Sequence, residues 1–144
     1  MIIIGSDHGA FELKNVLKEY LTSMGKEVCD CGTYDSSSVD YPDIAQKVCE
    51  KVKEEGSEFG ILLCGTGIGI SIAANKIDGI RCALLNTEYA AAKAKQHNNA
   101  NVIAMGGRVV GPDLAKSILD AFMNAEFEGG RHQNRLDKIH ALEN

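Results

Sequence analysis

Ile61-Leu62-Leu63-Cys64-Gly65-Thr66-Gly67-Ile68-Gly69-Ile70-Ser71 reads as an apolar run, a glycine-rich turn and the opening of a helix in succession. Gly60 to Leu63 has the continuous apolar character of a strand buried on both faces. The alternating glycines permit a sharp bend, and a helix is expected from about Ile68 to Asn75. A strand followed at once by a helix is the βα unit of a parallel sheet.

The unit recurs on both sides of this stretch. Upstream, Met1-Ile2-Ile3-Ile4-Gly5 is a second buried-strand pattern, followed by Leu13, Val16, Leu17, Tyr20, Leu21 and Met24 at helical spacing, with Gly25 placed as a left-handed cap. Glu27-Val28-Cys29 precedes a helix bearing Ile44, Val48 and Val52. Downstream, Cys82 to Leu85 precedes a helix over Thr87 to Gln96, and Val102 to Met105 precedes one opened by Pro112 and Asp113 and carrying Leu114, Ile118, Leu119 and Phe122. Five such units predict a single α/β domain over 1–144, a Rossmann-like doubly wound sheet of five mostly parallel strands with flanking helices and a C-terminal helical tail. In the tail, 126–144, Glu128-Gly129-Gly130 is a joint, and Arg131 to Leu142 can form a helix with Arg131 and Arg135 on one face. With no strand of its own to cover, the tail is expected to pack on a neighbouring subunit or over the site.

Composition narrows the partners. A chain of 144 residues, 44% hydrophobic, suffices for one core. A formal net charge of −5 argues against a nucleic-acid or anionic-membrane surface, which clustered Lys and Arg would have to meet. Five cysteines, an odd number, without a signal-like segment, point to a reducing, cytoplasmic setting rather than a disulfide framework. No apolar run approaches the roughly 20 residues that cross a bilayer.

In doubly wound sheets ligands bind beyond the carboxyl ends of the strands. Those positions hold Ser6-Asp7-His8-Gly9, Cys64 to Gly69, and Gly106-Gly107-Arg108. His97-Asn98-Asn99 ends the fourth helix and belongs to this rim less securely. Gly65, Gly67 and Gly69 can expose backbone N–H groups at a helix N-terminus, an anion cradle, or simply make a tight turn. Their G-x-G-x-G spacing is neither a dinucleotide fingerprint nor a P-loop, which speaks against an NAD-dependent enzyme. Cys64 is either a packed strand residue or a thiol whose thiolate the helix N-terminus favours. Cys29, Cys31, Cys49 and Cys82 are assigned to packing, the Cys29-x-Cys31 pair being too close for a zinc site. Asp7 can be a helix cap or a substrate ligand, His97 a helix C-cap or an acid, and Arg131 with Arg135 a solvated face or a phosphate clamp. Together these groups suit proton transfer on a small phosphorylated substrate by general acid–base chemistry, with no metal and no cofactor.

Ser6-Asp7-His8-Gly9, Asp40-Tyr41-Pro42, Cys64 to Gly69 with Ala73-Ala74-Asn75-Lys76, His97-Asn98, Gly107-Arg108-Val109-Val110 and Gly129-Gly130-Arg131-His132-x-x-Arg135, in this order along essentially the whole chain, resemble the type B ribose 5-phosphate isomerases. That family also includes allose 6-phosphate and galactose 6-phosphate isomerases. The resemblance implies a homodimer, possibly a larger assembly, with sites at the subunit interface, interconverting D-ribose 5-phosphate and D-ribulose 5-phosphate in the pentose phosphate pathway. It implies Cys64 as the base that moves a proton between carbons two and one. The N–H groups of Gly65, Thr66, Gly67, Ile68 and Gly69 would hold the enediolate oxygen, an array worth roughly 3 kcal/mol per donor. His97, helped by Asp7 and Thr66, would open the furanose ring. His8, Arg131 and Arg135 would grip the phosphate, and Asn98, Arg108 and Tyr41 would line the pocket, some donated by the partner subunit. One branch of the family uses a glutamate base instead, and the absence of a carboxylate at Ile70-Ser71 places this sequence in the cysteine branch. A six-carbon sugar phosphate, or a non-catalytic sugar-phosphate or nucleotide-binding module, are the competing expectations.

Overall fold

In the computed structural model, which describes residues 1–143, five strands form one parallel sheet: β1 (Ile2–Ser6), β2 (Val28–Asp30), β3 (Phe59–Cys64), β4 (Cys82–Leu84) and β5 (Val102–Gly106). Asn144, the last residue of the expected tail, lies outside the described residues. Six helices flank the sheet: α1 (Phe11–Ser23), α2 (Tyr41–Val52), α3 (Ile68–Asn75), α4 (Glu88–Gln96), α5 (Pro112–Met123) and α6 (Arg131–His140). The expected α/β class is therefore observed, with every strand pair parallel.

The strand order is β2-β1-β3-β5-β4. The chain winds outward from β1 to β2, then returns to build β3 on the other side of β1, so the β1/β3 boundary is a switch point where a crevice opens at the strand ends. β5 inserts between β3 and β4 and brings Gly106 opposite Cys64. Three strand ends, those of β1, β3 and β5, thereby stand side by side.

Alternating strand residues feed two cores. Ile2, Ile4, Ile61, Leu63, Ile103 and Met105 pack under α1, α4 and α5, while Ile3, Leu62, Val102 and Ala104 pack under α2 and α3 with Ile44, Val48 and Ile70. At roughly 1.5–3 kcal/mol per fully buried aliphatic side chain, this two-sided burial is the main force holding the strand ends in register.

Three local differences from the sequence-based expectation have physical causes. Strand β2 runs to Asp30 because that carboxylate is satisfied where it lies: Lys14 Nζ donates to its two oxygens at 2.8 and 2.9 Å, and Gly32 N–H donates at 2.9 Å. Met24, expected on the apolar face of the first helix, is exposed because α1 ends at Ser23 and Gly25, at φ +79°, turns the chain away. The tail helix ends at His140 rather than Leu142, which is 84% exposed.

Candidate active site

Cys64 is the last residue of β3 and is 4% exposed, and its Sγ accepts the N–H of Gly67 at 3.1 Å. The bond needs Gly67 at φ +79°, as the N-cap of α3, where a side chain is strained. A Cβ there would also meet Leu84 Cδ1 at 2.6 Å and the backbone of Met105 and Gly106 at 2.8 and 3.0 Å. The turn is therefore pressed against β5, and the sulfur occupies an acceptor position at a helix N-terminus, the place a thiolate fills. Two N–H groups of the expected cradle are engaged internally: that of Gly67 on Cys64 Sγ, and that of Ile68 on Thr66 Oγ1 at 3.2 Å.

Of the other thiols, Cys49 is buried and Cys31 and Cys82 are half-buried. Burial, and then the neighbouring Cys29, pushes the Cys31 thiol up to about 11, and burial pushes Cys49 up to about 11 and Cys82 further still. These groups remain protonated at neutral pH and serve packing.

The groups following β1 close on the same turn. Asp7 caps a short 3-10 turn, its Oδ1 accepting Gly9 N–H at 2.9 Å, and its own N–H donates to Leu63 O at 3.0 Å. Gly9 lies so near that a Cβ on it would stand 3.4 Å from Gly65 N. After β5, Gly107 N–H bonds Cys64 O at 2.9 Å and Arg108 N–H bonds Gly65 O at 3.0 Å, and the Arg108 guanidinium covers Gly65. From α2, Tyr41 covers Gly69, its ring only 2.6 Å from where a Cβ would be. A groove of about 640 Å³ runs from Asp7 and His8 along Val39, Asp40 and Tyr41.

His8 is oriented by a contact that sequence spacing does not show. Val39 N–H donates to His8 Nδ1 at 3.2 Å, so in the neutral ring the proton sits on Nε2, free to donate to an anion. The loop carrying Val39 is anchored by Lys14. Its ammonium is fully buried and joins Asp30 and the Thr33 carbonyl, while Thr33 N–H bonds Ser6 O at 2.7 Å.

His97, Asn98, Arg131 and Arg135 do not reach this rim within one chain. His97 is the C-cap of α4, which leads into the beginning of β5, and Arg81 Nε bonds the Asn98 carbonyl at 3.2 Å just before the beginning of β4. Glu128 N–H bonds Gln96 O at 3.0 Å, which docks the start of α6 at the same end, and His132 stacks on His97 with ring centroids 4.2 Å apart. Arg131 and Arg135 are exposed on that helix. From Gly60 to Cys64 the sheet alone separates the two ends by about 13 Å. Convergence on one rim thus holds for Asp7, His8, Tyr41, Cys64 to Gly69 and Arg108, and the basic group lies at the opposite end beside a hollow of about 670 Å³ lined by Arg81, Asn98, Leu136 and Ile139.

Glu128 and His132 were not singled out as site residues by spacing. With His97 they bring three possible metal-ligating atoms within 4.8 Å of one another. The two imidazoles are nearly parallel, 12° apart, so their in-plane lone pairs do not converge on one ion as coordination requires.

The chain matches the family model described as Ribose/Galactose Isomerase over residues 2–139. It is 49% identical to ribose-5-phosphate isomerase B of Escherichia coli, over 99% of this chain and 95% of that protein. It is 46% identical to the D-erythrulose-4-phosphate isomerase of Pectobacterium atrosepticum, over 96% of this chain and 91% of that protein. The solved structure of Clostridium thermocellum ribose-5-phosphate isomerase B superposes with a TM-score of 0.96 at 51% identity, covering 98% of this chain and 95% of the other.

Proposed function

From the premise that this chain belongs to the Ribose/Galactose Isomerase family and is an isomerase, we propose that it interconverts D-ribose 5-phosphate and D-ribulose 5-phosphate through an enediolate, with Cys64 as the base. The observation that carries this reading is the seat of Cys64. A buried sulfur accepting an N–H sits at the junction of three strand ends, one residue after Leu63, whose carbonyl accepts the N–H of Asp7 from the neighbouring strand end.

The ribose ring must open before the carbon acid is accessible. The C1–O4 bond breaks with its electron pair going to O4, which takes a proton from His97, while the proton of O1 passes to Asp7 as the C1 carbonyl forms. Cys64, as thiolate, then takes the proton from C2. The enediolate oxygen is held by backbone N–H groups of the Gly65–Gly69 turn, the O2 hydroxyl proton moves to O1, and the Cys64 thiol returns its proton to C1. Thr66 orients the turn through its bond to Ile68 N–H. His8, Arg131 and Arg135 bind the phosphate, and Tyr41, Asn98 and Arg108 wall the sugar.

His97, Asn98, Arg131 and Arg135 come from a second copy of the chain. Their separation from Cys64 within one chain supports this, as do Ile68 and Ile72, which α3 leaves 52% and 57% exposed one turn apart beside the cradle. The fold thus supplies half of each site at either end of its sheet.

A second reading keeps the mechanism and changes the substrate. The Pectobacterium relative is named for a four-carbon ketose phosphate and the family model for galactose. The test is steady-state turnover, with EDTA present, of ribose 5-phosphate beside erythrose 4-phosphate, allose 6-phosphate and galactose 6-phosphate. Highest kcat/KM for ribose 5-phosphate supports the proposal. A higher value for another sugar reassigns the substrate, and turnover of none refutes the isomerase reading in favour of a sugar-phosphate-binding module.

A further inference from the structure

Glu128 and His132 have no part in the chemistry above, yet they surround the residue assigned to open the ring. Glu128 Oε1 stands 3.8 Å from His97 Nε2 and 3.5 Å from His132 Nε2. The backbone of Glu128 is tied to the last turn of α4, which fixes this carboxylate relative to His97 through a short path. His132 is 6% exposed and lies flat against His97. Its pKa is held below the ordinary histidine value, first by burial and then by the positive charge of His97 and Arg131, with Glu128 opposing. A neutral buried ring therefore forms one wall for the His97 imidazole, and an anionic carboxylate faces its edge.

Resting on the isomerase reading, we propose that Glu128 is a positioning residue for sugar-ring opening: acting through His97 stacked on His132, its carboxylate orients the imidazole as the proton donor to O4. Glu128 does not touch the reacting carbons. Its side chain is half exposed, so between turnovers it also links His97 to solvent, from which the spent proton is replaced. Carbon-acid chemistry at Cys64 does not depend on it.

The substrates themselves separate the two steps. Ribose 5-phosphate closes through O4 into a furanose, so the forward reaction needs ring opening. Ribulose 5-phosphate cannot close into a five-membered ring, because O5 carries the phosphate, and its proton transfer starts from the open chain. The experiment compares wild type, Glu128→Gln, Glu128→Asp and His132→Asn in D2O. Forward kcat from ribose 5-phosphate is measured beside the rate at which ribulose 5-phosphate reacts, counted as aldose formed plus deuterium entering C1 of the ketose.

For Glu128→Gln, forward kcat should fall by about 10- to 100-fold, short of the full general-acid contribution, while the rate from ribulose 5-phosphate changes by less than about threefold. Glu128→Asp should recover part of the forward rate, and His132→Asn should show the same asymmetry. Equal losses in both directions would reduce Glu128 to a structural residue and overturn the proposal, as would no loss in either. A wild type that reacts with neither sugar would instead sink the isomerase reading on which the proposal stands.

Discussion

Gly67→Ala, set beside Gly25→Ala, measures how tightly the turn under Cys64 is packed. Both glycines have φ +79°, so each alanine bears the same left-handed strain, about 1–2 kcal/mol. Their surroundings differ: nothing lies within 4 Å of a Cβ at Gly25, whereas at Gly67 it would press on Leu84, Met105 and Gly106 at 2.6–3.0 Å. Two of those three contacts are backbone of the interior strand β5 and cannot swing aside, which adds an overpacking penalty of about 1–3 kcal/mol. Gly67→Ala should therefore lose about 2–5 kcal/mol and Gly25→Ala about 1–2 kcal/mol. At about 4 °C per kcal/mol for a domain of this size, calorimetry should find Tm lower by roughly 8–20 °C and 4–8 °C respectively. The activity should separate further, because any shift that relieves Gly67 moves its N–H away from Cys64 Sγ. Gly25→Ala should keep wild-type kcat. Equal stability losses at the two sites, or full activity in Gly67→Ala, would refute the packing argument.

The buried Lys14–Asp30 pair gives a pH-dependent signature. Burial alone would raise the Asp30 pKa, but the bonds from Lys14, Gly32 and Lys18 together hold it below the ordinary carboxylate value. The folded state thus binds this proton more weakly than the unfolded chain, so the contribution is present above about pH 4 and is lost as pH falls through the lower folded value. Asp30→Asn, which strands the buried Lys14 ammonium, should cost about 3–5 kcal/mol in urea melts at pH 7. Its deficit against wild type should shrink as pH falls below 4. Lys14→Met should cost less, since Lys18 and Gly32 still meet the carboxylate. Shared sites predict complementation: Cys64→Ala and His97→Asn proteins, each inactive alone, should regain about a quarter of wild-type activity when dissociated and reassembled together at equal amounts. No recovery in verified mixed dimers would place each site within one chain.

The strand-turn-helix stretch around Cys64 was legible because everything that shapes it is local: an apolar run, glycines that permit the bend, and a helix that begins four residues later. The fold class followed from repetition of that unit. The order of β5 and β4 could not be read, because adjacent units can be laid down in either order without changing their own patterns. Lys14, a lysine on the first helix, is among the largest fully buried side chains of the described residues, and its partner Asp30 is sixteen residues away. The Val39 bond to His8 spans thirty-one residues and engages a backbone donor, which no residue pattern advertises. The Glu128 and His132 contacts with His97 arise only when α6 docks on the end of α4, and the matching distance between His97 and Cys64 is a property of topology rather than of spacing. A histidine one residue after Arg131 in a Gly-Gly-Arg-His block was the one available signal for that cluster.

As the proposed base, the Cys64 sulfur carries the proton between C1 and C2. The most direct test is Cys64→Ala, followed by turnover of ribose 5-phosphate, deuterium entry into ribulose 5-phosphate, and calorimetric binding of ribose 5-phosphate on the same protein. Turnover and deuterium entry should both fall by about 10²–10⁴-fold or more while Kd changes by less than about threefold, because removing a base acts on the transition state rather than on ground-state binding. Deuterium entry at the wild-type rate in the Cys64→Ala protein would contradict that role.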